Sequence, residues 1–157
     1  MTMSKDGILE QIRAAKALYN RLVLVIADSG SGKTTVLREV AEELQTPIVN
    51  VNLELSRRML DLTGRQRTLQ MPRLLREIVD GVQREVVLLD NLEILFDVGL
   101  KQDPLRLLQG LSRNKTIVAA WNGAVDEQTM TYATPEHPEY RRYPVRDFLV
   151  SSPEVKA

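Results

Sequence analysis

The chain of 157 residues carries 21 Lys+Arg against 21 Asp+Glu, one His, no Cys and 43% hydrophobic residues. That length suits one domain with a real core rather than two full-sized ones, and the lack of Cys excludes disulfides and thiolate-held zinc. Zero net charge argues against a dedicated nucleic-acid binder. No apolar run reaches the ~18 residues of a transmembrane helix, and the N-terminus holds no signal-peptide core. The expectation is a soluble, cytoplasmic protein with no membrane partner.

Residues 7–19 have Ile8, Ile12, Ala15 and Tyr19 at helical spacing and predict an amphipathic helix. Leu22-Val23-Leu24-Val25-Ile26 is continuous, β-branched and short, the pattern of a strand buried on both faces of a parallel sheet. A Ser/Gly turn follows, then a helix over 33–44 with Val36, Leu37, Val40, Ala41 and Leu44 on its apolar face. Residues 47–51 read as a second strand. Helices are expected over 53–62 and 70–83, separated by a break at Gly64 and an Arg-rich connection. Val86-Val87-Leu88-Leu89 is a third strand ending at Asp90, 105–111 a short helix and 116–121 a fourth strand. The tail has three Pro within 135–144, the lone His137 as a surface residue, and a short final strand within 145–150.

Strands alternating with helices predict an α/β fold with a mostly parallel sheet of about five strands and right-handed crossovers. The expected organisation is a single domain over 1–157: an N-terminal helix (1–20), a core (21–122) and a C-terminal extension (123–157). With 35 residues after Asn122, no C-terminal lid domain is expected.

Between the first strand and the next helix lies Ala27-Asp28-Ser29-Gly30-Ser31-Gly32-Lys33-Thr34, a Walker A pattern with Ala for its first Gly. Gly30 and Gly32 let successive N–H groups turn inward toward a phosphate, and the helix start adds its positive dipole end. Lys33 reaches the β- and γ-phosphates, and the Thr34 hydroxyl is placed for Mg²⁺. The expected nucleotide-binding set is Asp28, Ser29, Gly30, Ser31, Gly32, Lys33, Thr34 and Thr35, and the expected cofactors are ATP and Mg²⁺. Asp90 closes a Walker B pattern and can hold Mg²⁺ opposite Thr34; its alternative is a turn cap.

Many P-loop ATPases place Glu directly after that Asp to polarise the attacking water. Here the residue is Asn91, whose amide accepts no proton. Glu93 and Asp28 are the two candidate substitutes, and hydrolysis is expected to be slow or dependent on assembly. Asn122 at the fourth strand's end is either a γ-phosphate sensor or a left-handed turn residue before Gly123. Arg113, just before that strand, is either an arginine finger for a neighbour's nucleotide or a solvated surface residue.

Six Arg (Arg57, Arg58, Arg65, Arg67, Arg73 and Arg76) crowd residues 57–76, opposed there only by Asp61. They read as a solvated helix face, an oligomer interface, or a patch for DNA or RNA phosphates. Tyr140-Arg141-Arg142-Tyr143-Pro144-Val145-Arg146 reads as an edge strand with exposed charges, or as a base or partner contact.

The Walker A run, the Walker B run Val86-Val87-Leu88-Leu89-Asp90-Asn91 and the Trp121-Asn122 strand end together resemble the BrxF family of BREX bacteriophage-defence systems. The resemblance implies an AAA-like, three-layer P-loop core in an ATP-binding accessory subunit, working with other defence-system subunits near DNA. A core without a lid is expected to complete its site by forming an ATP-dependent homo-oligomer. The rival readings are a non-hydrolysing nucleotide-gated scaffold, favoured by Asn91, and a small kinase or nucleotide phosphotransferase with residues 57–76 as its lid.

Overall fold

The computed structural model describes residues 3–153. Its elements are α1 (Lys5–Ala15), β1 (Leu22–Ala27), α2 (Lys33–Leu44), β2 (Ile48–Asn50), α3 (Val51–Arg58), α4 (Gly64–Asp80), β3 (Val86–Asp90), α5 (Pro104–Leu111), β4 (Thr116–Asp126), β5 (Thr129–Tyr132), β6 (Arg141–Pro144) and β7 (Leu149–Ser151). Two 3₁₀ turns, Glu93–Phe96 and Val98–Leu100, lie between β3 and α5.

The five parallel strands run β2-β3-β4-β1-β7, as the alternating pattern predicts. The apolar runs are continuous because alternate residues enter different cores. Leu22, Leu24 and Ile26 face one cluster with α3, α4 and α5, whereas Val23 and Val25 face the other with α1 and α2. In β4, Ile117, Ala119 and Trp121 divide from Val118 and Ala120 in the same way. The result is three layers, with β1 and β4 at their centre. No helical lid follows the sheet among the described residues.

Four local expectations are corrected. The first helix stops at Ala15, because the Lys16 amide turns back to the Arg13 and Ala14 carbonyls; Tyr19 falls beyond it, 74% exposed. The helix expected over 53–62 runs Val51–Arg58, started by the Asn50 side chain accepting from the Leu53 amide at 3.0 Å. The Arg-rich connection is itself helix. Gly64 opens α4 rather than breaking it, because Thr63 and Gln66 form a capping box: each side chain accepts the other's backbone N–H, at 3.2 and 2.9 Å. The fourth strand does not turn at Asn122-Gly123 but runs on to Asp126 and folds back as an antiparallel ribbon, β4-β5-β6.

Pro72 lies inside α4 and removes the N–H that would serve the Thr68 carbonyl. Gln102 supplies the missing donor, its Nε2 reaching that carbonyl at 2.7 Å. In the tail, Arg141–Pro144 forms the ribbon's outer strand, as the edge-strand reading expects. The final strand is confined to Leu149–Ser151, parallel to β1.

Candidate nucleotide site

β1 ends at Ala27, and the loop that follows reaches left-handed backbone at Gly30 (φ 81°) and Gly32 (φ 93°), where side chains are disfavoured. Gly32 caps α2 without a side-chain hydrogen bond, leaving the first N–H groups of that helix for a ligand. The Lys33 ammonium turns back onto the loop, donating to the carbonyls of Ala27 at 2.9 Å and Asp28 at 2.7 Å. The Ser31 hydroxyl also donates to the Asp28 carbonyl. Burial pushes the Lys33 ammonium below its usual value of 10.5, against the opposing pull of Asp90, then Asp28, then Glu93. A bound polyphosphate would add further counter-charge beside this buried cation.

Opposite the loop, the buried Asp90 accepts from the Thr34 hydroxyl at 2.8 Å and from the Asn91 amide at 2.9 Å. The Thr34–Asp90 oxygen separation is close to the edge of an octahedron with Mg–O bonds of 2.0–2.1 Å, about 2.9 Å. Among the described residues no cluster of three or more His, Cys, Asp or Glu could hold a metal alone. The pair therefore suits a Mg²⁺ that arrives with nucleotide phosphates.

After Asp90 the backbone turns sharply. Asn91 is left-handed at φ 56°, its carbonyl accepts from the Asn52 amide at 3.0 Å, and the first 3₁₀ turn follows. This geometry returns Glu93 to the cleft, where its carboxylate accepts from the Asn122 amide group at 2.9 Å. The cleft, of about 300 Å³, is lined by loop residues together with Asp90, Asn91, Glu93, Ala120 and Asn122.

Most of the residues singled out from sequence thus converge. Ser29, Gly30, Gly32, Lys33, Thr34 and Thr35 line the cleft. Asp28 and Ser31 do not; Asp28 acts through its carbonyl. The strand end brings Asn122 to Glu93, and its turn alternative is overturned. Arg113 is not part of this site. It precedes β4, at the end of the sheet away from the loop, with its guanidinium 5.3 Å over the Tyr19 ring. Sequence reasoning passed over Ala120, which carries no chemical signal.

Of the six Arg, Arg57 and Arg58 pair with Glu54 at 3.5 and 2.8 Å, and Arg73 pairs with Glu77 at 2.7 Å. Both acids lie just outside the 57–76 window. Arg67 donates to the Leu62 and Leu60 carbonyls. Arg65 shares a shallow cleft with Lys101, and Arg76 one with Arg106. No helix among the described residues is long and apolar enough to cross a membrane.

A search of curated proteins found no match. Among solved structures, the chain is similar to a DNA replication initiation factor at TM-score 0.51 and 16% identity, covering 96% of this chain and 45% of that one. It is also similar to the replication initiator DnaA bound to AMPPCP and single-stranded DNA, at TM-score 0.48 and 16% identity, covering 98% and 47%. The chain spans less than half the length of either structure, and likeness at this identity speaks to the fold alone. Residues 23–120 match the model of the "ATPase family associated with various cellular activities (AAA)". With more than half its length matched, and with a P-loop facing an acidic strand end, the chain belongs to the AAA family of ATPases.

Proposed function

We propose that this AAA domain binds ATP with Mg²⁺ and hydrolyses it slowly, with Glu93 replacing the acid missing at Asn91. The observation that carries this reading is the Glu93 carboxylate, returned to the cleft and held by Asn122 at 2.9 Å. Lys33 and the loop N–H groups bind the phosphates, and Thr34 and Asp90 would hold the metal. Mg²⁺, when bound, would neutralise phosphate charge. Glu93 orients a water and takes its proton, and Asn122 keeps the carboxylate aimed. Because the acid stands two residues beyond its usual position, which Asn91 occupies, turnover is slow.

The exposed loop leaves one side of the nucleotide open, which supports completion of the site by a second copy in an ATP-dependent homo-oligomer. Arg113, exposed at the far end of the sheet, is the residue we assign to a neighbour's nucleotide. The resemblance of the two motifs to BrxF supports a place among the subunits of a bacteriophage-defence assembly acting near DNA. Asn91 favours a second reading, a nucleotide-gated scaffold without turnover. A kinase lid at residues 57–76 is not supported, since α4 packs Met71, Leu74 and Leu75 into the core and lends nothing to the cleft.

ATP affinity and turnover measured together across protein concentrations test this reading. Turnover per protomer is expected to rise with concentration, alongside a mass increase by light scattering in ATP–Mg²⁺. Glu93→Gln is expected to lower turnover about 100-fold or more while keeping ATP affinity. Full turnover in Glu93→Gln overturns Glu93's role. Tight binding without turnover at any concentration establishes the scaffold instead.

A further inference from the structure

The ribbon formed by β4, β5 and β6 is continuous with the nucleotide site, and its packing converges on Glu93. A 3₁₀ helix has three residues per turn, so Glu93 and the buried Phe96 lie one turn apart on the same short segment. Tyr132 of β5 stacks on Phe96 with ring centroids 3.4 Å apart and an interplanar angle of 4°. Trp121 of β4 meets both rings edge-on, at 5.0 Å from Phe96 and 5.9 Å from Tyr132. Tyr132 is also near enough to Glu93 to feel its charge: burial, then Glu93, then Glu139 push the phenol up to about 12.

The ribbon is tied down from its other side as well. The Trp121 indole N–H donates to the Thr131 carbonyl at 3.0 Å. Gly123, opposite Tyr132, leaves room for that crossing, since a Cβ there would lie 1.8 Å from the Thr131 oxygen. Arg141 of β6 donates to the Gln102 carbonyl at 2.8 Å. Asn122, which holds the Glu93 carboxylate, is paired in register with Ala27, whose carbonyl receives Lys33. Two independent grips therefore act on the turn bearing Glu93: Asn122 on the carboxylate and Tyr132 on the ring three residues later.

We propose that the ribbon positions Glu93 for turnover, with Tyr132 and Phe96 as positioning residues that touch neither nucleotide nor water. This rests on the reading of Glu93 as the water-polarising acid. Tyr132 acts by fixing the Phe96 ring, which sets the rotation of the 3₁₀ turn and hence the aim of the carboxylate. The stacked ring, not the phenol oxygen, carries the effect.

The test compares Tyr132→Leu with Tyr132→Phe in the full chain. Three readouts are taken: affinity for a fluorescent ATP analogue, turnover, and the Trp121 emission change on adding ATP–Mg²⁺. Tyr132→Leu is expected to lower turnover by about 10- to 100-fold with affinity unchanged, the scale of a misplaced catalytic group. Tyr132→Phe restores most of the rate. If Tyr132→Leu does not fold, Phe96→Met takes its place.

Unchanged turnover in the Leu variant, or a parallel loss of rate and affinity, overturns the proposal. Failure of Tyr132→Phe to restore the rate also overturns it. If the wild type binds ATP without turnover, the reading of Glu93 as catalytic acid fails, and Trp121 emission decides the ribbon's link separately. A nucleotide-induced change present in wild type and Tyr132→Phe but lost in Tyr132→Leu upholds the link. The same response in all three, or none in the wild type, overturns it.

Discussion

Gly123→Ala is a one-methyl change whose cost can be worked from the structure. The new Cβ would sit 1.8 Å from the Thr131 carbonyl oxygen, 2.8 Å from its carbon and 3.2 Å from the Trp121 indole nitrogen. The first two contacts are backbone, which cannot rotate away, so β4 and β5 must part where Gly123 faces Tyr132. Overpacking of this kind costs about 1–3 kcal/mol. Parting the strands also strains the bond from the buried Trp121 indole to Thr131, and a buried donor left unpaired costs about 1–3 kcal/mol. The sum is about 2–6 kcal/mol, or a fall in Tm of about 4–24 °C for a chain of this size. Trp121 is the sole tryptophan and reports unfolding by its own emission in denaturant or on heating. A loss below about 1 kcal/mol would refute the claim that close strand approach, rather than turn geometry, selects glycine here.

Other outcomes follow from single contacts. Lys33 has a folded value below 10.5, so the ammonium is fully charged only below that lowered value. ATP affinity, measured by titration from neutral pH upward, is expected to weaken as pH passes through it, before an ordinary lysine would titrate; Lys33→Arg should abolish this dependence. Gln102→Ala strands the Thr68 carbonyl and is expected to cost about 1–2 kcal/mol. Pro72→Ala, which restores the helix donor, should relieve much of that loss in a double-mutant cycle by urea denaturation. Thr63→Ala removes half of the capping box and should cost about 1 kcal/mol by the same assay. If the basic side of α4 holds DNA, Arg65→Ala and Lys101→Ala should each lower the salt slope of DNA retention by about 1, whereas Arg58→Ala, already paired with Glu54, should not.

The nucleotide loop and the strand end at Asp90 were readable because their signals are local. An apolar run, two glycines and a lysine specify strand, turn and helix within a dozen residues. The Arg-rich helix was not, although Thr63-x-x-Gln66 carries a capping signature. A glycine between two charged stretches looks like a break unless its neighbour is recognised as a cap. Tyr19 matched the helical period, yet it lies exposed beneath the Arg113 guanidinium rather than in the core. Asn122-Gly123 looked like a turn because both residues favour one, but the close crossing of Thr131, distant in neither sequence nor space, decided for strand. The missing glutamate was legible and its replacement was not. The left-handed backbone at Asn91 returns Glu93 to the cleft, which Asp28 does not line, and no local sequence signal announces that turn.

The strand that carries the phosphate loop is gripped by both cores and is paired with β4 on one side and β7 on the other. Loop occupancy and global unfolding are therefore thermodynamically linked: a ligand that needs β1 and α2 in place cannot remain bound once the sheet opens. A nucleotide at a hundred times its Kd should add about 2.7 kcal/mol to the folded state. The melting temperature of this chain is thus a gauge of nucleotide choice, able to rank ATP against GTP with no turnover required.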